Sequence, residues 1–236
     1  MIVVIEGGDK AGKYTQAGLL QQALKKRNIK TTLFEFPNYD TPSGKIIKRY
    51  LKGDLDMSPK SAYQLFEDNM YADIDKVKQA LKDYGIVIMN RYYYSNIVYA
   101  MANGLTREWC DEHPSRMPKP DMVILLDITY EESCRRQGAN RDRYEKNAEY
   151  FKKVCDIYRD EICNDGWHNY TWKNTAGETH EHILTDLFQV RAILSERPKV
   201  CNNCGSDPPV GYVWIEEDKG YAWFCDSKTC FKALTD

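Results

Sequence analysis

The first sixteen residues, MIVVIEGGDKAGKYTQ, constrain this chain more than any other stretch. A β-branched apolar run leads straight into a glycine-rich loop, and TQAGLLQQALKK, a good helix former, follows it. Gly7, Gly12 and Lys13 keep the register of a phosphate-binding loop, Gly-x4-Gly-Lys, in the strand–loop–helix context that such a loop requires. The backbone N–H groups from Gly7, Gly8, Asp9, Lys10, Ala11 and Gly12 and the helix N-terminus would cradle a polyphosphate, with Lys13 reaching its β and γ groups. The next position normally carries a small hydroxyl that ligates Mg²⁺; here it is Tyr14, with Thr15 one place late. Either Mg²⁺ is held mainly by phosphates and water, or Thr15 and an acidic residue compensate.

Further strand-like runs at Thr31–Phe36, Gly85–Met89, Met122–Asp127 and, more weakly, His168–Trp172 alternate with helix-like stretches. That alternation predicts an α/β fold, a parallel sheet covered by helices on both faces. Apolar positions at 148, 151, 155, 158 and 162 step by three and four, predicting a helix with one buried stripe and Cys155 in the core. A helical pattern from Glu178 to about Leu194 ends before Pro198, where the composition changes. We therefore expect two domains, 1–195 and 196–236. With 33 basic and 35 acidic side chains, no global charge argues for nucleic acid or membrane. The first apolar run is too short for a secretory signal, so the eight cysteines are expected as thiols in the cytoplasm.

The loop IEGGDKAGKYTQ resembles that of thymidylate kinases, P-loop nucleoside monophosphate kinases. FPNYDTPSGKIIKRYL, LFEDNMYAD, NRYYYSNIVYA, and MPKPDMVILLD with RRQGANRDRYE agree in order and spacing, so the likeness covers roughly residues 1–190. The resemblance implies a five-stranded parallel sheet, a homodimer, and transfer of the ATP γ-phosphoryl group to dTMP. It places Lys10 at the transferred group, Arg91 on the acceptor phosphate and Asp9 on the sugar 3′-hydroxyl. It also places Phe66 under the thymine ring, Asn96 near the base edge and Tyr99 against the sugar 2′ position. Phe36, Tyr39, Arg49, Met70 and Tyr144 complete the expected acceptor site. Arg136, Arg141 and Arg143, with Arg135, surround Gly138 on a short connection suited to closing over ATP phosphates and excluding water. Arg143, Tyr144 and Glu145 match the family's lid sequence.

Several positions depart from the family. Tyr14 replaces the loop hydroxyl. Asn90 stands where Asp commonly precedes Arg-Tyr, removing a negative charge near the metal and acceptor. Met70 occupies the place of an Arg that donates to thymine O4, a loss of about 1.5–3 kcal/mol for a charged hydrogen bond. Tyr39 replaces an Arg near the acceptor phosphate, for which Lys48 or Arg49 would substitute.

Near the end of the sequence, Cys201-x2-Cys204 and Cys225-x4-Cys230 flank VGYVWIEEDKGYAWF, which reads as a hairpin around Asp218-Lys219-Gly220. Four thiolates at this spacing fit a tetrahedral structural Zn²⁺ in a ribbon-like module whose fold the metal would supply. Glu216, Glu217, Asp218 and Asp226 offset its lysines, so a protein contact is as good an expectation for this module as nucleic acid. The expected activity is phosphorylation of a deoxynucleoside monophosphate, dTMP first, with dUMP or a 5-substituted dUMP as the alternative. A nucleotide-binding regulatory or nucleic-acid-associated protein that has lost catalysis is the rival from another class.

Overall fold

The structure, a computed structural model, describes residues 1–136, 147–163, 166–195, 213–216 and 220–223. Arg141, Arg143, Tyr144 and the four C-terminal cysteines lie outside the described residues. The elements run β1 (Ile2–Glu6), α1 (Lys13–Lys26), β2 (Thr31–Glu35), α2 (Pro42–Lys52), α3 (Pro59–Tyr71), α4 (Ile74–Asp83) and β3 (Ile86–Asn90). They continue with α5 (Tyr93–Ala102), α6 (Arg107–Asp111), β4 (Met122–Asp127), α7 (Tyr130–Arg136), α8 (Ala148–Asp156), a π-helical turn Ile157–Ile162, β5 (Trp167–Thr171) and α9 (Ala176–Ser195).

The first five strands form one wholly parallel sheet in the order β2-β3-β1-β4-β5. β1 lies at its centre because Ile2, Val3, Val4 and Ile5 are apolar on both faces, and all four are buried. The chain leaves β1 toward β2 on one side and reaches β4 on the other, so the loop after β1 sits at the topological switch point where open sheets bind ligands. On one face, Val4 and Met89 pack with Phe36, Met70 and Tyr92; beside them Leu125 packs with Val98, Val154 and Tyr158.

The strand ends differ slightly from the sequence reading. β2 stops at Glu35 and β3 runs through Asn90, because Glu35 pairs with Asn90 as the last step of their parallel ladder. Trp167 joins β5 opposite Val123, and Trp172 falls beyond the strand. In α8 the predicted stripe is wider than expected and begins later: Ala148 is exposed, while Phe151, Val154, Cys155, Ile157, Tyr158 and Ile162 are buried. Val154 beside Cys155 widens it within α8, and the π-helical turn adds Ile157 beside Tyr158.

Two compact units divide the chain, Met1–Asp186 and Leu187–Asp236. Within the second, β6 (Val213–Glu216) and β7 (Gly220–Trp223) pair antiparallel, with Val213 opposite Trp223 and Glu216 opposite Gly220. Among the described residues, no helix is long and apolar enough to cross a membrane.

Candidate active site

The loop between β1 and α1 is shaped by backbone conformations that its sequence permits. Gly7 has φ 139°, and a Cβ there would lie 2.4 Å from the Leu126 carbonyl oxygen, so only glycine lets the loop pass this close to β4. Gly12 has φ 101° and caps α1, which begins at Lys13. Lys10 and Arg91 are non-glycine residues with φ 65° each, a left-handed conformation costing roughly 1–2 kcal/mol. Such outliers persist where surrounding contacts over-determine them and concentrate at functional sites.

Lys13 is buried and folds back on its own loop, its Nζ donating to the carbonyls of Gly7 at 2.9 Å and Gly8 at 2.7 Å. Burial and the nearby Arg91 guanidinium pull its ammonium down to about 7, against the opposing pull of Asp9 and Glu6. Arg91, one residue past β3, donates through Nη1 to the Gly7 carbonyl at 3.2 Å and to Ser95 Oγ at 3.1 Å, and through Nη2 to Asp9. The other oxygen of Asp9 accepts from the Tyr99 hydroxyl at 3.0 Å. Burial alone would push the Asp9 carboxyl up, but the charges of Arg91 and Lys13 outweigh it and hold it below the usual range.

Beneath Arg91 lies a polar network that the sequence reading missed. Glu6, 0% exposed at the end of β1, accepts from the Tyr92 and Ser95 backbone N–H groups, from Ser95 Oγ at 2.6 Å and from the Tyr158 hydroxyl at 2.9 Å. Burial pushes its carboxyl up, and these bonds oppose the shift. Ser95 Oγ thus links Glu6 to Arg91, and the π-helical turn delivers Tyr158 to the same point.

Arg91 opens onto a cleft lined by aromatic side chains with a few polar groups among them. Asp9, Phe36, Tyr39, Phe66, Met70, Asn96 and Tyr99 all line it, so of the expected acceptor residues within the described chain only Arg49 is not in the wall. Arg49 is exposed on α2, as is Lys48. Tyr63 and Asn103 also line it, and Asn96 Nδ2 donates to the Tyr63 carbonyl at 3.1 Å. Met70 is 3% exposed and brings no hydrogen-bond donor.

A second cleft lies on the other side of the loop, with Lys10, Gly12, Thr15, Arg135, Arg136 and Trp172 in its wall. Tyr14 is 73% exposed, so its phenol does not replace a loop hydroxyl in the interior. Asn90 donates through Nδ2 to Glu35 Oε1 at 3.0 Å, and its buried Oδ1 has no hydrogen-bond partner. An aspartate here would set two carboxylates opposite each other on paired strands, which accounts for an amide at this position.

Two clefts thus meet at one loop, with a lysine and an arginine both bonded to the Gly7 carbonyl. The thymidylate kinase family profile matches residues 5–183. The chain belongs to the thymidylate kinase family. It is 30% identical to human thymidylate kinase over 215 residues, covering 90% of this chain and 96% of that one. It is 34% identical to the Arabidopsis thaliana enzyme over 214 residues, covering 90% and 76% respectively. The solved thymidylate kinase of Candida albicans, described with a broad substrate specificity, superposes with a TM-score of 0.72 at 25% identity over 80% of this chain and 92% of that one. As a member of the family, the chain is a nucleoside monophosphate kinase that passes a phosphoryl group from ATP to dTMP.

Proposed function

We propose that the cleft beyond Arg91 takes the acceptor monophosphate and the cleft beside Lys10 takes ATP, with their phosphates meeting end to end over Gly7. The observation that carries this reading is the shared Gly7 carbonyl, which holds buried Lys13 and Arg91 a few ångströms apart on the loop that both clefts border. The acceptor is already an anionic phosphate, so no side chain need act as a strong base; positioning and charge neutralisation do the work. Lys13 exchanges the two loop carbonyls for the β and γ phosphates. Arg91 keeps Gly7 and Ser95 as its anchors and turns its remaining N–H donors to the acceptor phosphate. Lys10, exposed at the loop tip, supplies charge at the transferred group, and Arg141 and Arg143 are assigned to the donor phosphates by the family resemblance.

Phe66 and Tyr99 are assigned to the base and sugar, and Asp9 to the 3′-hydroxyl. Because Nδ2 of Asn96 is held by the Tyr63 carbonyl, its Oδ1 is the atom available to the base edge. With Met70 silent toward O4, we propose that dUMP and 5-substituted dUMP are accepted beside dTMP.

Mg²⁺ fits this site as a passenger on the phosphates rather than as a resident of a protein cage. Asp9 and Glu132 are paired with arginines, as is Asp127, and only the exposed hydroxyl of Thr15 offers itself from the loop. When bound, the ion neutralises phosphate charge. The four C-terminal cysteines are proposed to hold a structural Zn²⁺ in a module beyond residue 195; β6 and β7 supply the hairpin that such a module needs. The family resemblance supports a homodimer, and the cysteine usage supports a reducing, cytosolic setting.

A crystal structure with an adenosine–thymidine pentaphosphate tests the arrangement. The phosphate chain should run from Lys13 to Arg91 without a break; two separate, unconnected binding positions would end the proposal.

A further inference from the structure

Asn69, on α3 one turn beyond Phe66, is a fully buried amide, 0% exposed. Its partner is the backbone of Asn38, in the loop between β2 and α2. Asn69 Oδ1 accepts from the Asn38 N–H at 2.7 Å while Nδ2 donates to the Asn38 carbonyl at 2.9 Å, so one amide pairs with both backbone groups of that residue, as a neighbouring strand would. Nδ2 also lies 2.8 Å from Thr41 Oγ1 and 3.1 Å from Ser43 Oγ, at the start of α2. The Asn38 side chain makes a second tie: its Nδ2 donates to Asp73 Oδ2 at 2.5 Å, and buried Asp73 is itself paired with Lys76 at 2.6 Å. The loop lies directly on α2, where a Cβ at Gly44 would meet the Asn38 carbonyl oxygen at 2.0 Å.

This loop, residues 36–41, starts from the end of β3, where the Phe36 N–H donates to the Asn90 carbonyl at 3.0 Å. It contributes Phe36, Pro37 and Tyr39 to the wall of the cleft beyond Arg91, and α3 contributes Phe66 and Met70. Asn69 thus joins two walls of one cleft through a group that must both donate and accept. A fully satisfied buried network holds a single arrangement, whereas side chains that are ordered only when a ligand arrives cost affinity. We infer that Asn69 is a positioning residue for the acceptor nucleotide: it fixes the 36–41 loop against α3, so that Tyr39 stands in the cleft wall before binding. This rests on the acceptor-cleft assignment above and goes beyond it by naming a residue that does not itself line the cleft.

Calorimetry on the full chain measures dTMP affinity, and the coupled kinase assay measures KM for each substrate. Asn69→Ala should weaken dTMP binding about tenfold, the scale of ordering one or two side chains on binding, and raise KM for dTMP equally with kcat and KM for ATP held. Asn38→Ala, at a half-buried position, cuts the tie to Asp73 and should shift KM for dTMP in the same direction; it serves also if Asn69→Ala does not fold. Loss of either tie in a Tyr39→Ala background should add little, leaving dTMP affinity within about twofold of Tyr39→Ala alone. General loosening of the fold would lower Tm and the active fraction without that split in KM or that non-additivity. An unchanged KM for dTMP in either folded variant, or additive losses in the double variant, overturns the inference. If Phe66→Ala and Tyr39→Ala both bound dTMP like wild type, the acceptor-cleft assignment itself would fall.

Discussion

Asp9, on the glycine loop, and Arg91, just past the third strand, are 82 residues apart in sequence and form an ion pair in the wall of the first cleft. The pair is largely enclosed, with 22% and 15% of the two side chains exposed, so it is not the weakly coupled surface kind. Asp9 also accepts a hydrogen bond from the Tyr99 hydroxyl, so this cleft, the loop and the arginine form one polar assembly.

Arg91→Ala should lower kcat/KM for dTMP by at least about a hundredfold, as expected for loss of a positioned charge acting on the transferred group. Arg91→Lys should recover only a small part, because one ammonium cannot reach Gly7, Ser95, Asp9 and a phosphate together. Steady-state kinetics with dTMP as the varied substrate decides this. A near-wild-type alanine variant would refute the acceptor assignment.

Burial and the Arg91 charge pull the Lys13 ammonium down to about 7 in the free chain, and replacing loop carbonyls with phosphates would favour its charged form. Above about pH 8, where ATP is fully ionised, binding should therefore take up close to one proton. Calorimetry in buffers of different ionisation enthalpy reads this directly, and uptake near zero would contradict it. The stability effect has the matching sign. The native state binds fewer protons than the unfolded chain between about 7 and 10.5, so burial of Lys13 costs stability at low pH, and that cost diminishes as pH rises through this window.

Tyr158→Phe removes one of the donors to buried Glu6. A buried group left short of a partner costs roughly 1–3 kcal/mol, which for a chain of this size lowers Tm by about 2–12 °C. Thermal melts of the variant measure it. No change would mean that Glu6 is neutral and satisfied through Ser95 alone.

Asn90→Asp should lose stability by about 0.2–1 kcal/mol through repulsion with Glu35, and adding Glu35→Gln should restore it. A double-mutant cycle from denaturant unfolding isolates the coupling. An additive result would show that the cross-strand amide has no such role.

How much of this was legible in the sequence depends on distance along the chain. Lys13 and the glycines announce themselves because the phosphate grip is local, and the strands because buried parallel strands are continuous apolar runs. The residues proposed for the acceptor came from the family resemblance alone; Asp9, Phe66, Asn96 and Tyr99 line one cleft with Arg91. Glu6, Ser95 and Tyr158 carried no local signal: they are brought together across 89 and 152 residues by β1, α5 and the π-helical turn. An acid closing a core strand, as Glu6 closes IVVIE, was the available hint, since such a carboxylate must find buried partners. Arg136 was readable as a charge near phosphates, but its bonds to the Lys10 and Trp172 carbonyls depend on the folded loops.

We propose that one phosphoryl group crosses from ATP to a pyrimidine deoxynucleoside monophosphate between Lys13 and Arg91. ADP release by purified protein over a panel of monophosphates measures it most directly. The account predicts turnover with dTMP, weaker but measurable turnover with dUMP, and little with purine monophosphates. No ADP release above background with any of them, from protein that binds ATP, would contradict it.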